Sequence, residues 1–452
     1  MRTGAMTMSK LTILAAALTL ALGCVKQEAQ RPNPKQAKAE SISAKPDAPA
    51  KAQPLQAKPD ARDALIEKAW QYLLTQYNVQ GKPENKGIDS GWGPKSMNIA
   101  YTALVLQGLY GSKVWNESDE RIKASVEFVI DSQEASGGFS LMPEKVMPAM
   151  KGQRAVYITG IVAQLMADLN AAGAWKGKLT QKIELARDYL KQSQVGNPTG
   201  PAAEYKRGNV GFGGWAYSKE ELPKKIEEGK PAANMSTTIY AMDALKACGV
   251  ASDDPVWQDA LVFLKRNHNA GELQSADFTA KTQDGKTIKA AGPDSPDYGG
   301  SIYSEDSSMA EERTENEDGT VTLHSYGTMT YNLLRAYLFA GLKKDSLPVK
   351  LALGWVRKNY VLNKVPGYRK QSQFDQGLFY YYVSFARTLK ALGEDTIEDD
   401  RGFKHDWRAE LIEQLGKLQG TDGSWVNKNP KWQEGSPVLA TAFALDALRH
   451  TR

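Results

Sequence analysis

Apolar helices recur six times within residues 61–452, and this repetition constrains the fold more than any other feature of the chain. Each one is rich in Ala, Leu, Tyr and Thr on every side, and a helix that is apolar all round has to be buried. Five of the six end at a Gly, which suits the left-handed C-cap of a helix. The predicted buried helices are residues 101–111, 156–173, 240–249, 331–341, 379–393 and 439–450.

Amphipathic helices with charged faces alternate with the buried ones. They are predicted at residues 63–77, 120–132, 180–192, 256–267, 347–360 and 406–418. The simplest closed arrangement of this series is an inner ring of six helices inside an outer ring of six. We therefore predict an all-α fold, an (α/α)6 toroid over residues 61–452. An open solenoid is the alternative, but one side of its buried helices would meet solvent.

The links between these helices differ in length. Links from a buried helix to the next amphipathic helix are short, whereas the reverse links are long, as at residues 194–234 and 268–324. Antiparallel alternation places all the long links at one end, which is typical of the working face of a repeat fold. Oxygen ligands in segment 268–324 could hold a calcium or magnesium ion, but we favour a solvated flap there. The acids concerned are Asp294, Asp297, Glu305, Asp306, Glu311 and Glu312.

A Gly close to an aromatic residue lies ahead of the buried helices. Two of these sites share a tighter pattern, in which Gln is followed by Gly and then by an aromatic residue: Gln133 to Phe139, and Gln419 to Trp425. We expect the Gln to bond the free carbonyls that end its amphipathic helix and to meet the aromatic ring, while the Gly permits a sharp turn.

This Gln-to-aromatic pattern resembles the repeats of squalene–hopene cyclases, and the hairpin series is similar to prenyltransferase and squalene oxidase repeats. Residues 235–245 and 439–448 resemble the inner helices of that family, and the likeness covers about residues 62–452. The resemblance implies a terpenoid cyclase toroid. It says little about activity, because the repeats are structural and one fold supports many functions.

The catalytic signatures of that family are not matched. Its cyclases protonate the substrate with an Asp-x-Asp-Asp cluster ahead of an inner helix, but residues 234–237 and 435–438 hold no acid. Residues 397–400 carry acids on the opposite connection, where we expect a solvated turn. The related protein prenyltransferases bind zinc through Asp, Cys and His. His324 begins an inner helix as their zinc ligand does, but the matching Asp-x-Cys is absent, so we expect no metal and no cofactor.

The N-terminus is typical of an exported bacterial lipoprotein. Arg2 and Lys10 precede a short apolar run that ends at Cys24, and the last four residues, Ala-Leu-Gly-Cys, resemble a lipobox. We predict a signal peptide at residues 1–23, an acylated Cys24 that anchors the chain to a membrane of the cell envelope, facing the periplasm or exterior, and a Pro-, Ala- and Lys-rich tether through residue 60. The whole formal excess of +5 lies in residues 1–60, and a neutral body argues against a nucleic-acid partner.

Two functions from different classes remain open. We favour a protein that binds a lipid, glycan or peptide in an aromatic-lined pocket without cyclase chemistry. The alternative is a divergent enzyme, either similar to terpenoid cyclases and prenyltransferases or similar to polysaccharide lyases. The catalytic residues of such an enzyme are not identified, although His324, Arg154 and Tyr326 are the first candidates for one that acts on a glycan. The predicted pocket residues are Trp92, Arg154, Trp215, His324, Tyr326, Tyr381 and Trp425.

Overall fold

A computed structural model describes residues 59–77, 90–94, 97–141, 152–175, 177–228, 233–311 and 313–452. The predictions for the signal peptide, for Cys24 and for nearly all of the tether lie outside these residues. The first helix begins at Pro59, two residues before the predicted start of the toroid.

Thirteen helices appear in the described residues, and twelve of them match the predicted series. In chain order they are α1 (Pro59–Gln76), α2 (Asn98–Leu109), α3 (Glu120–Asp131), α4 (Ala155–Ala171), α5 (Thr180–Gln192), α6 (Leu222–Glu227), α7 (Met235–Ala247), α8 (Pro255–Arg266), α9 (Gly327–Phe339), α10 (Leu347–Lys358), α11 (Leu378–Leu392), α12 (Trp407–Leu418) and α13 (Pro437–Arg449). The extra helix, α6, is a short segment within the long link between α5 and α7.

The inner helices form a closed ring. Helix α2 contacts α4, which contacts α7, and the contacts continue through α9, α11 and α13 back to α2. The outer helices α1, α3, α5, α8, α10 and α12 each contact one or more inner helices. The (α/α)6 toroid is therefore confirmed, and the open solenoid is excluded because the first and last inner helices meet.

The inner helices begin earlier than the sequence pattern predicts. Helix α7 starts at Met235 because Asn234 caps it, its side-chain oxygen accepting the backbone N–H of Thr237 at 2.9 Å. Each inner helix follows a long link, and the end of the ring where these helices begin is called the mouth from here on. None of the described helices is both long enough and apolar enough to cross a membrane.

Tryptophans fix the two layers of helices to each other. The indole N–H of Trp215 donates to Leu190 O at the end of α5, while its backbone N–H donates to Thr238 Oγ1 on α7, at 2.7 and 3.1 Å. The same pair of bonds recurs at Trp92, with Leu73 and Thr102, and at Trp425, with Leu415 and Thr441. The aromatic residue of this repeat is therefore a connection between an outer and an inner helix.

The repeat glutamines connect neighbouring outer helices. Gln133 Nε2 donates to Gly137 O in its own turn at 3.0 Å and to Lys182 O in the first turn of α5 at 2.8 Å. Gln419 closes the outer ring in the same way, reaching Leu65 O of α1 at 2.9 Å. The expectation that Gln bonds the end of its own helix is wrong, because the side chain spans the gap to the next helix.

Four turn glycines lie against the neighbouring outer helix. Each has a φ between +83° and +89°, a region that side chains disfavour. A Cβ at these positions would overlap a backbone carbonyl oxygen of that helix. Glycine is therefore required for both conformation and space. The four are Gly137, Gly213, Gly299 and Gly423.

Replacing Gly423 should separate α12 from α1. We expect Gly423→Ala to lower the free energy of unfolding by about 2 kcal/mol or more, because it adds a disfavoured φ to an overlap with Lys68 O. Gly354→Ala is the matched control, since Gly354 is exposed within α10 and nothing lies near its Cβ position. The control should be neutral or stabilise by up to about 1 kcal/mol. Equal urea midpoints for the two variants would contradict this assignment.

The long insertion between α8 and α9 is folded, so the predicted solvated flap is wrong. A hairpin of β1 (Arg313–Glu315) and β2 (Val321–Leu323) lies within it. Glu305 is buried and pairs with Arg266 of α8 at 3.3 Å, and buried Asp297 pairs with Arg369 at 2.7 Å. These acids hold the insertion to the toroid. Glu312 lies outside the described residues.

The acidic stretch at residues 397–400 lies on an inner-to-outer link, as expected, with Glu398 and Asp400 exposed, but Asp399 is not solvated. Strands β3 (Ile397–Glu398) and β4 (Lys404–His405) pair there. Asp399 is buried and accepts the backbone N–H groups of Arg401 and Phe403, each at 2.9 Å. Burial opposes its ionisation, but these bonds and the Arg401 side chain lower its pKa to about 2. Asp399 therefore has a structural role.

His268 replaces the repeat glutamine after α8 and should make stability depend on pH. Its Nε2 bonds Gly299 O and its Nδ1 bonds the Tyr337 hydroxyl, both at 3.0 Å, and burial lowers its pKa to about 4. An unfolded imidazole has a pKa of about 6.5, so the unfolded chain binds an extra proton between the two values. Stability should therefore fall as the pH drops from 6.5 to 4, by up to about 3 kcal/mol.

The variant His268→Gln introduces the residue found at Gln133, Gln194 and Gln419, and it does not titrate. We expect its unfolding free energy, measured by urea denaturation between pH 7 and pH 4, to decline less steeply than that of the parent chain. Parallel pH profiles for the two proteins would contradict the assignment.

Candidate functional site

One polar side chain from each inner helix meets in the centre of the ring. Every one is the ninth or tenth residue of its helix, so all six lie at one level, about 13 Å below the helix starts. We call this set the polar layer, and it consists of Gln107, Gln164, Asp243, Arg335, Arg387 and Asp446. All six are buried, and their formal charges cancel.

Asp243 of α7 connects the two arginines of the polar layer. Its carboxylate accepts Arg335 Nε at 3.0 Å and Arg387 Nη1 at 3.1 Å. Arg387 also donates to Asp446 Oδ2 at 2.8 Å and to Gln164 Oε1 at 2.7 Å. Five inner helices are therefore joined by one network of charge-assisted bonds. Although burial opposes ionisation of Asp446, Arg387 and other nearby cations hold its pKa below the usual value.

The sixth helix joins the polar layer through a weaker contact. Gln107 Nε2 of α2 lies 3.5 Å from Gln164 Oε1, and Arg449 of α13 donates to the carbonyl of Gln107 at 3.1 Å. The polar layer thus fills the axis of the ring. It forms a floor beneath the mouth and separates the two ends of the toroid.

Removing the central carboxylate should be severely destabilising. Asp243→Ala leaves two buried guanidinium groups without their shared partner, and we expect a loss of about 3–5 kcal/mol in the free energy of unfolding. Glu413→Ala is the control, because it breaks an exposed ion pair with Lys417 and should cost no more than about 1 kcal/mol. A calorimetric result in which both variants lose the same small amount would show that the polar layer does not hold the ring.

Aromatic rings occupy the space between the polar layer and the mouth. Tyr240 of α7 lies 4.6 Å from Tyr157 of α4 and 6.1 Å from Tyr380 of α11, ring centroid to ring centroid. Tyr217 contacts Tyr157 at 5.8 Å and shares a 2.8 Å hydroxyl contact with Tyr303. We call these five residues the tyrosine cluster. Tyr240 is buried, whereas the other four are partly exposed.

The hydroxyl groups of Tyr157 and Tyr380 remain protonated at neutral pH. Burial raises the pKa of Tyr380 to about 12 and raises that of Tyr157 well above its usual value. The hydroxyl of Tyr380 contacts Ser236 Oγ at 3.1 Å and Asn332 Nδ2 at 3.4 Å. The tyrosine cluster therefore offers aromatic faces together with phenol groups able to donate and accept hydrogen bonds.

Strained backbone is concentrated at the mouth. Five non-Gly residues among those described have a positive φ, and four belong to long links: Arg154, Glu311, Trp432 and Gln433. Such conformations cost about 1–3 kcal/mol each and persist where the surrounding structure fixes them. The guanidinium of Arg154 lies over the Tyr217 ring at 4.9 Å. The fifth, Trp175, lies on an inner-to-outer link at the opposite end.

Glu434 holds the start of α11 in place. Its carboxylate accepts the backbone N–H of Tyr380 at 2.8 Å, that of Phe379 at 3.2 Å and the Asn427 side chain at 2.7 Å. Burial raises its pKa to about 7, against the effect of these three donors. Glu434 therefore positions Tyr380 at the mouth. Two of its bonds are to α11, and the third is to Asn427 in the link between α12 and α13.

The structure separates the predicted pocket residues. Trp92, Trp215 and Trp425 are buried between the layers, in the connections described above, because their indole N–H groups bond outer-helix carbonyls. Tyr381 is also buried, its hydroxyl donating to Val361 O at 2.7 Å. These four side chains do not line the mouth.

The other three predicted residues have different surroundings. His324 precedes α9 and is buried, with its Nε2 3.1 Å from Thr314 Oγ1 of β1, so its ring faces the hairpin. Tyr326 is buried and stacks on Tyr368 at 5.4 Å. Arg154 is partly exposed and contacts the tyrosine cluster. Among the described residues, no three His, Cys, Asp or Glu side chains converge as a metal site.

Sequence reasoning missed both the polar layer and the tyrosine cluster as a set. A signal for the polar layer exists: Asp243, Arg335, Arg387 and Asp446 are charges within helices predicted to be wholly buried. Such charges need partners from other helices, and the two signs are equal in number. The tyrosines had no comparable signal, because core packing accounts equally well for an inner-helix tyrosine.

Comparison with solved structures finds similar toroids at low sequence identity. The α-1,6-mannanase from Salegentibacter sp. HEL1_6 has a TM-score of 0.50 at 10% identity, covering 86% of this chain and 100% of that chain. The type II terpene cyclase MstE from Scytonema, in a complex with merosterolic acid A, has a TM-score of 0.46 at 14% identity, covering 86% of this chain and 97% of that chain. No protein-family model and no curated protein matches the sequence. The likeness to the mannanase supports the fold alone.

Proposed function

We propose that this chain is an exported lipoprotein, anchored through Cys24, whose toroid binds a ligand at the tyrosine cluster without converting it. The observation that supports binding most strongly is the combination of four partly exposed tyrosines at the mouth with a closed floor beneath them. Concave sites that present aromatic rings and a few polar groups are typical of ligand binding.

Polyene cyclisation is disfavoured by the interior. A cyclase that folds a long apolar chain needs a deep apolar cavity and a carboxylic acid with a proton to give. Here the polar layer occupies the axis of the ring. Tyr240 lies about one turn before Asp243 on α7, between the polar layer and the mouth. Glu434, at the mouth, has a pKa raised to about 7, but its carboxyl oxygens are occupied by two backbone N–H groups of α11 and by the Asn427 amide.

Hydrolysis or elimination on a glycan is the second enzymatic alternative. Glycoside hydrolysis commonly uses two carboxyl groups placed on either side of the scissile bond. Glu311 lies beside the same part of the mouth as Glu434, and its carboxylate is bonded by Gln373 Nε2 at 2.8 Å and by Lys431. Both carboxylates are engaged by protein groups, which supports binding without turnover.

The proposed tether would connect the toroid to the membrane. The length of residues 24–60 limits the reach of this segment to about 120 Å. A toroid held this way would sample the space next to a membrane while it stays attached. The charge excess near the N-terminus is compatible with a nearby anionic lipid surface.

Native mass spectrometry of the full chain, extracted from a bacterial envelope in mild detergent, tests both parts of the proposal. We expect a mass that fits cleavage before Cys24 plus acyl chains, and we expect Cys24→Ser to abolish both changes. We also expect a co-purified ligand that is lost in Tyr380→Ala, because this ring is one of the partly exposed members of the tyrosine cluster.

Tyr110→Ala is the control for ligand loss, since Tyr110 is also a partly exposed inner-helix tyrosine but lies at the opposite end. A ligand retained in Tyr380→Ala would place the binding site elsewhere. A ligand that is chemically altered during incubation with the purified protein would replace the binding function with an enzymatic one. A mature protein without acyl chains would refute the anchor.

A further inference from the structure

Trp432 is held in a fixed position at the mouth by a strained turn. Trp432 and Gln433 are consecutive residues at φ values of 55° and 69°. Gln433 Oε1 accepts the hydroxyl of Tyr101 at 3.0 Å, which ties the turn to α2. On the other side, the Trp432 ring covers Gly377 so closely that a Cβ there would lie 2.9 Å from it. The indole is partly exposed, although both sides of its turn are anchored.

The strained turn is continuous with the tyrosine cluster. Gly377, beneath the indole, is the N-cap of α11, and Tyr380 is the third residue of that helix. The residue after the turn, Glu434, bonds the backbone N–H of Tyr380. Tyr380 also contacts Phe443 of α13 at 5.8 Å. Trp432 therefore extends the aromatic surface of the tyrosine cluster outward over the start of α11.

The cation next to Trp432 is already paired, and the buried carboxyl group next to it is held by neutral donors. Lys431 lies over the Trp432 ring at 5.4 Å, but its ammonium group bonds Glu311 and Gln376. Glu434 is buried and bonded by three donors. An anionic ligand at this part of the mouth would thus meet the carboxyl group of Glu434, while Lys431 is already engaged by Glu311 and Gln376. That setting favours a neutral ligand.

A pyranose ring matches this surface. Its C–H face is apolar and packs on an aromatic face, while its hydroxyl edge needs donors and acceptors, and the side-chain amide of the partly exposed Gln433 has an N–H₂ group to offer. An acyl chain would bind more favourably in a site lined by aliphatic side chains. We infer that the ligand is a neutral oligosaccharide and that one of its sugar rings stacks on Trp432. This inference rests on the proposed function and specifies its ligand class.

The test is an array of immobilised oligosaccharides, both neutral and uronate- or sulfate-bearing, probed with the detergent-purified full chain. Isothermal titration with the best neutral binder follows. We expect binding to neutral members, a loss of affinity of about tenfold or more in Trp432→Ala, and a smaller loss in Trp432→Phe, which keeps an aromatic face. Trp175→Ala is the matched control, because Trp175 is also partly exposed with a positive φ of 49° but lies at the opposite end. Its affinity should not change.

The possible failures are distinguishable from failure of the proposed function. Glycan binding that is lost in Tyr380→Ala but unchanged in Trp432→Ala would overturn the role of Trp432 and leave the site in place. Binding only to acidic members, with Arg154→Ala as the damaging variant, would overturn the neutral ligand class. If no oligosaccharide binds while a co-purified lipid or peptide is lost in Tyr380→Ala, the glycan is wrong and the site stands. Loss of any ligand in Trp175→Ala alone would overturn both the proposed binding site at the mouth and the role of Trp432.

Discussion

The buried ion network of Asp243, Arg335, Arg387 and Asp446 is the interaction on which the rest of this toroid depends. Charges in the interior are tolerated only when each has a partner, and here the partners come from different helices. The cost of a broken pair is far larger than the benefit of an intact one, so the network penalises any arrangement in which the ring opens or a helix shifts by a turn. We regard it as a device for register and closure. Its contribution to net stability can be small.

The outer layer achieves closure by a separate, repeated set of contacts. A glycine without a side chain allows one outer helix to approach the next, a glutamine bonds across the gap, and an aromatic residue joins the outer helix to the inner one. Gln194 shows the pattern clearly, since its amide donates both to Gly213 O and to Val256 O of α8, each at 2.9 Å. The residues that make the repeat recognisable are thus structural, which leaves the mouth free to vary.

This division explains what the sequence could and could not predict. The helices and the closed toroid were predictable, because apolar periodicity and glycine caps are local signals. Helix starts were less so: α9 begins at Gly327, four residues before the predicted start at Tyr331. The proposed binding site was not predictable, because Trp215 and Trp432 are both tryptophans in long links. The surroundings of each indole distinguish a structural role from the proposed binding role. Trp215 donates to a backbone carbonyl, whereas Trp432 lies in a strained, partly exposed turn.

We propose that ligands enter from the mouth and stop above an intact polar layer. A crystal structure of the full chain soaked with its tightest-binding oligosaccharide tests this most directly. We expect sugar density against Tyr380 and Trp432, with Asp243 of the polar layer still bonded to Arg335 and Arg387. Density at the opposite end of the ring, or a ligand that passes between Arg335 and Arg387 after their bonds to Asp243 have parted, would contradict it.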